Sequence, residues 1–258
     1  MKVLSIGNSF SRDGQRWLHA ISVTGGEVID TCNLYIGSCS LKMHWNCIEN
    51  NLCDYDKEGN DSEFICKTTI LDTLKSDKFD IITLQQVSGD SGRPQTYFPY
   101  LTDILAFVKE HQPQAKIYLH ETWSYEIGSS HGDFKYYNFD QGEMYRRIKD
   151  ANDLAGKLIG AKIIPAGDVI QYLRENTDEF NVKKGGLSLN HDGFHLTLDY
   201  GRFAAALTWY KFLTGKNADL EAFVKLNPQF NLELLRVIEN GVNEIYKRYL
   251  FLAKGGYL

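Results

Sequence analysis

The chain has 258 residues, 43% of them hydrophobic and 24% charged, an ordinary globular composition that excludes a disordered or fibrous protein. Lysine and arginine total 28 against 33 aspartates and glutamates, a formal charge of −5. That sign is opposite to the one a nonspecific polyphosphate binder needs, so nucleic acid is not an expected partner.

Short apolar runs rich in β-branched residues alternate with longer segments of helical period, the pattern of a parallel sheet covered by helices. The first run, Lys2–Gly7, predicts a strand. It is too short for a signal peptide and lacks a small-residue cleavage site, so a cytoplasmic location is expected, with export implied only if a signal has been removed. Further strands are expected at Val28–Tyr35, Asp80–Gln86, Lys116–Thr122 and Lys162–Pro165. Each is nearly continuously apolar at its centre, as a strand buried on both faces should be.

Helices are expected at Gln15–Thr24, Cys66–Ser76, Tyr97–His111, Gln141–Gly160, Asp168–Asn176 and Asp199–Thr214, with two more after Asp219. In the segment from Tyr97, the three- and four-residue spacing of Leu101, Ile104, Leu105 and Val108 lays one apolar face on the sheet. Residues 41–65 show no clear period and read as an irregular surface insertion, while Tyr125–Asp140 reads as a loop over the sheet. No linker or repeat divides the chain, so one α/β domain spanning 1–258 is expected, with a helical extension from about residue 219. The apolar spacing of Leu220–Leu252 permits a packed helical pair or a homo-oligomer surface. No stretch approaches the roughly eighteen apolar residues of a membrane span, so no membrane partner is expected.

All five cysteines, Cys32, Cys39, Cys47, Cys53 and Cys66, fall in the first quarter of the chain, and none forms a Cys-x-x-Cys pair. Reduced thiols are the expectation; a local disulfide or a metal held with His44 is the alternative.

Two segments carry chemistry. The first strand runs into Gly7-Asn8-Ser9-Phe10-Ser11, a strand-to-helix turn in which a hydroxyl would sit beside free N–H groups. Either serine could equally serve as a helix cap. The second segment is Asn190-His191-Asp192-Gly193-Phe194-His195. A carboxylate three residues before a histidine can accept its Nδ1 proton and leave Nε2 free as a base. Metal binding by His191, Asp192 and His195 is the competing reading, although a complete ligand set is not evident.

With these two segments at opposite ends, the chain resembles the SGNH (GDSL-like) hydrolase superfamily over nearly its whole length, specifically a largely uncharacterised bacterial branch. Gly7-Asn8-Ser9 is similar to the family's Gly-Asp-Ser block and Asp192-Gly193-Phe194-His195 to its Asp-x-x-His block. The resemblance implies a flavodoxin-like three-layer α/β/α sandwich with a mostly parallel five-stranded sheet. It implies a serine esterase with Ser9 as nucleophile, His195 as base and Asp192 as its orienting partner, and neither cofactor nor metal. Gly37 matches the glycine whose N–H helps bind the oxyanion, though a glycine needed only for a turn would look the same. The usual Gly-x-Asn-Asp block is absent; Gln85 or Gln86 stands where its amide donor would be. The aromatic run after Tyr97, with His120, Trp123, Tyr125 and His131 near expected strand ends, favours a small ester such as an acetylated carbohydrate as substrate. A non-catalytic carbohydrate-binding module and a metal-dependent hydrolase are the alternatives.

Overall fold

The computed structural model describes residues 1–253. Among these residues, seven strands, numbered in chain order, form one sheet in the order β4-β3-β2-β1-β5-β6-β7. The parallel part holds β1 (Lys2–Gly7), β2 (Asp30–Tyr35), β5 (Ile81–Leu84), β6 (Lys116–His120) and β7 (Lys162–Ile164). Strand β1 is central, pairing Lys2 with Asp30 on one side and Val3 with Ile81 on the other. These are the five expected strands, β1 with the expected bounds and the other four shorter at one or both ends.

The other two strands correct the reading of 41–65 as irregular. That segment contains α3 (Leu41–Glu49) and β3 (Tyr55–Glu58), and β4 (Phe64–Thr68) overlaps its end, the two strands forming an antiparallel hairpin beyond β2. Its charged run forms a strand because only Tyr55 and Glu58 turn inward while Asp56 and Lys57 stay partly solvated. Cys66 lies in β4, so the helix expected from it begins at Ile70, where Thr69 caps α4 (Ile70–Ser76).

Helices cover both faces. The alternation of β1 sends Val3 into a core shared with α7 (Ala166–Asn176) and α8 (Tyr200–Thr214), and Leu4 and Ile6 into a core shared with α4 and α5 (Tyr100–His111). The result is a three-layer α/β/α sandwich with a seven-stranded rather than five-stranded sheet. α6 (Gln141–Ile159) lends Met144 and Ile148 to one core and Ala151 and Ala155 to the other. The expected helix Gln15–Thr24 is instead two, α1 (Ser9–Gln15) and α2 (Leu18–Thr24), separated at Arg16 and Trp17. After Asp219 come α9 (Leu220–Leu226) and α10 (Leu232–Ala253). Among the described residues no helix is long and apolar enough to cross a membrane. Cys32, Cys39 and Cys47 are buried free thiols, whereas Cys53 and Cys66 are exposed.

Candidate active site

The turn from β1 into α1 builds one half of the site. Any side chain at Gly7 would collide with Ser11 Oγ, which explains the glycine. Asn8 caps α1 reciprocally: its Oδ1 accepts the Phe10 N–H at 3.0 Å and its own N–H donates to Ser11 Oγ at 3.1 Å. Asn8 Nδ2 also donates to the Cys39 carbonyl at 3.0 Å, tying the turn to the segment after β2. Ser9 is the first residue of α1 and half-buried. Its N–H is among those a helix start leaves without an intrahelical acceptor.

The other half is a loop closed on itself by an antiparallel bridge between Asn190 and Leu196. His191 N–H donates to the His195 carbonyl at 3.1 Å, and Gly193 takes φ +85°, the left-handed region that favours glycine. The buried Arg174, whose pKa burial lowers to about 10, donates to Asn190 Oδ1 at 2.5 Å. Asp13 on α1 accepts the Leu196 N–H at 2.9 Å and pairs with Arg202 at 2.8 Å. Asp13 therefore fastens the loop to the same helix that carries Ser9.

These supports bring together residues 186 positions apart: His195 Nε2 lies 2.8 Å from Ser9 Oγ. On the opposite edge of the ring, His195 Nδ1 lies 2.7 Å from Asp192 Oδ2. Asp192 Oδ1 accepts the N–H groups of Phe194 at 3.1 Å and His195 at 2.7 Å. Burial opposes the charge on Asp192, yet these hydrogen bonds hold its carboxyl below the usual range. An anionic Asp192 fixes the tautomer that presents an Nε2 lone pair to the hydroxyl. His191, Asp192 and His195 also offer three donor atoms within 4.8 Å of one another.

Beside Ser9 and His195 lies a pocket of about 390 Å³ walled by Ser38, Ser40, Val87, Ser88, Asp133 and Phe194, among others. A wider cleft of about 670 Å³ opens on the far side of the histidine loop, against Trp17, His191 and Phe230, and does not include Ser9.

Several sequence expectations are corrected here. Neither glutamine amide lines the pocket: Gln85 Nε2 donates to Asn8 Oδ1 at 2.7 Å, and Gln86 Nε2 donates to the Thr96 carbonyl and hydroxyl, each at 3.0 Å. Gly37 is exposed and outside the pocket lining, which its neighbour Ser38 joins at φ +55°. Of the four proposed substrate contacts only His131 lines the pocket. His120 is buried against α8, its Nδ1 accepting from Trp209 Nε1 at 2.9 Å, and burial lowers its pKa to about 3. Trp123 is buried and stacks on Phe10 at 4.4 Å, its indole N–H holding the Phe194 carbonyl at 2.7 Å. Tyr125 is buried as well, its hydroxyl 2.9 Å from Ser88 Oγ. Helix α8 and the short 3-10 turn at Gly132–Tyr137 cover this end of β6, turning apparent rim residues into core.

Asp13 and the pocket residues Ser38, Ser40 and Ser88 are not among the candidate residues, and Asn8 figures only as a member of the Gly7-Asn8-Ser9 block. Asp13 does leave a sequence signal: four positions after Ser9, it shares that residue's side of a helix.

The family described as "Domain of unknown function (DUF4886)" matches residues 2–228. A DUF4886 family protein from Bacteroides uniformis is 33% identical, with a TM-score of 0.83 over 95% of this chain and 93% of the other. A protein from Slackia heliotrinireducens described as "a putative SGNH hydrolase" is 17% identical, with a TM-score of 0.58 over 83% of this chain and 98% of the other. The lipase/acylhydrolase from Enterococcus faecalis is 12% identical, with a TM-score of 0.54 over 83% and 95%. The last two likenesses are of fold. No curated protein matches the chain at a significant level.

Proposed function

Starting from the fact that the chain belongs to the DUF4886 family, we propose that it is a serine esterase of the SGNH type, cleaving small acyl esters such as O-acetyl groups on carbohydrates. The reading is carried by one observation, the continuous hydrogen-bonded line from Ser9 Oγ through His195 to Asp192, at 2.8 and 2.7 Å.

A serine hydroxyl is a weak nucleophile until a base takes its proton as it attacks. In this mechanism Ser9 Oγ adds to the ester carbonyl while its proton passes to His195 Nε2, and Asp192 stabilises the imidazolium. The oxyanion is received by the Ser9 N–H and by the Ser38 N–H in the turn that joins the pocket wall, replacing the three-donor arrangement that a glutamine would have completed. His195 then protonates the departing alcohol; water repeats the cycle to release the acid. The small pocket, with Ser38, Ser40 and Ser88 beside Ser9 and with Asp90 and Asp133 in its wall, favours a short acyl group on a polyhydroxy alcohol over a long aliphatic chain.

The test is release of acetate from an activated acetate ester and from acetylated sugars by wild type, Ser9→Ala and His195→Ala. Both variants are expected to lose at least about a thousandfold in turnover. Equal rates from all three would remove the proposal. A fluorophosphonate that labels Ser9 separates an esterase from a sugar-binding protein on the same scaffold.

A further inference from the structure

The histidine loop carries a residue that the esterase mechanism does not use. His191 projects from the strand-like start of the loop with its side chain 52% exposed, and among the described residues no side-chain hydrogen bond holds its ring. Its backbone is nevertheless fixed, because its N–H donates to the His195 carbonyl. The two imidazoles consequently leave the loop on the same side, with ring planes 15° apart and centroids 5.8 Å apart. Asp192 lies between them: its Oδ2 is 3.8 Å from His191 Nε2 and 2.7 Å from His195 Nδ1.

We propose that His191, Asp192 and His195 form an inhibitory site for a zinc-like divalent cation, one that switches Ser9 off when occupied. Two imidazoles and a carboxylate suit a borderline cation, with water completing a tetrahedron. Zinc–nitrogen and zinc–oxygen bonds of about 2.0–2.2 Å place neighbouring donors about 3.3 Å apart. The three donor atoms lie within 4.8 Å of one another; to reach that spacing the exposed His191 ring swings inward toward Asp192 Oδ2, 3.8 Å away, and toward His195, while the 2.7 Å His195–Asp192 contact opens.

The consequence for catalysis follows from proton accounting. The metal takes the Nδ1 lone pair of neutral His195, so the proton held there moves to Nε2; no electron transfer and no net proton release is needed. Nε2 then donates toward Ser9 Oγ and has no lone pair to accept the serine proton. The same metal also takes the Asp192 oxygen that stabilised the imidazolium.

The cation site stands on geometry alone, whereas its inhibitory effect rests on the esterase reading. The experiment titrates the intact protein with Zn²⁺ against a chromophoric chelator without substrate, and in parallel measures hydrolysis of an activated acetate ester. Wild type is expected to bind Zn²⁺ and lose activity, with recovery on adding EDTA; Mg²⁺ is expected to have no effect, being a hard cation that prefers oxygen donors. His191→Asn is expected to keep its uninhibited rate and to weaken both binding and inhibition at least about tenfold. Equal Zn²⁺ affinity or equal inhibition in wild type and His191→Asn overturns the proposal. Should no ester be turned over at all, the esterase reading falls, and the binding titration still decides the site: tighter binding by wild type supports it and equal binding overturns it.

Discussion

Gln85 donates its amide to Asn8 Oδ1 at 2.7 Å, from the end of β5 to the cap of the helix that begins with Ser9. Both residues are buried, and the same Asn8 oxygen holds the Phe10 N–H. The glutamine at the departed family block thus braces the serine turn from behind. Gln85→Ala is expected to lower stability by about 1–2 kcal/mol, the range for a buried hydrogen bond lost with one partner left behind. Turnover should fall about tenfold, short of the roughly hundred- to thousandfold loss typical of an oxyanion donor. Thermal unfolding and kcat on an activated acetate ester measure the two effects separately.

The β3–β4 hairpin has a bearing on the same turn. Glu58 of β3 is buried, accepts Asn33 Nδ2 at 2.8 Å and pairs with Arg12, whose guanidinium lies 3.5 Å above the Tyr35 ring. Asn33 Oδ1 in turn lies 2.8 Å from the Ser11 hydroxyl that caps Asn8. Glu58→Ala removes the partner of a half-buried cation and of a buried amide. The expected outcome is a destabilisation of about 2–4 kcal/mol by urea unfolding, together with reduced kcat. Glu58→Gln, which retains an acceptor for Asn33, should recover part of the rate.

Asp13 is the link between the two halves of the site. Burial, the largest influence, raises its pKa, with Arg202 and the Leu196 N–H acting in the opposite direction. Replacing it with alanine strands Arg202 and frees the backbone next to His195. A loss of about 3–5 kcal/mol is expected. At temperatures where Asp13→Ala stays folded, kcat should fall more than KM changes, because the pocket wall is intact while the histidine is loosened; steady-state kinetics distinguish the two.

Two histidines predict how stability responds to acid. Burial lowers the pKa of His44 and of His120 from 6.5 to about 3. Below pH 6.5 the unfolded chain therefore takes up two protons that the folded chain refuses, so unfolding becomes easier as pH falls. The loss runs from about pH 6.5 down to about 3 and then levels off. Each histidine contributes a slope of about 1.4 kcal/mol per pH unit within that window. His44→Gln is expected to reduce the slope of stability against pH by about one proton, measured by urea titrations across the range.

The centre of the fold was readable because β1, β2, β5, β6 and β7 lie between helical layers and are largely apolar at their centres, broken only by small polar residues such as Ser5, Asn33 and Thr83. The β3–β4 hairpin was not, because β4 is an edge strand with most of its side chains exposed, and the run Asp54-Tyr55-Asp56-Lys57-Glu58 that forms β3 has the composition of a loop. Ser9, Asp192 and His195 were identifiable by spacing and resemblance, and the structure brings all three together. Their supports depend on contacts across the sheet that local patterns do not encode. Gln85 and Gln86 bond to different parts of the molecule, and both lie past the end of β5, where strand alternation no longer dictates direction. Trp123 and Tyr125 follow β6 into a region roofed by distant segments, so their position along the chain carried no information about exposure.

In the proposed esterase, the 186-residue interval between the hydroxyl and its imidazole makes hydrolysis a report on the assembly of the molecule as a whole. During synthesis, chains ending before the loop could already pair β1, β2 and β5 yet would hold an inert serine. In a partly denatured population, the rate should vanish before the sheet's far-ultraviolet circular dichroism does, making acetate release an early sensor of damage anywhere along the intervening chain.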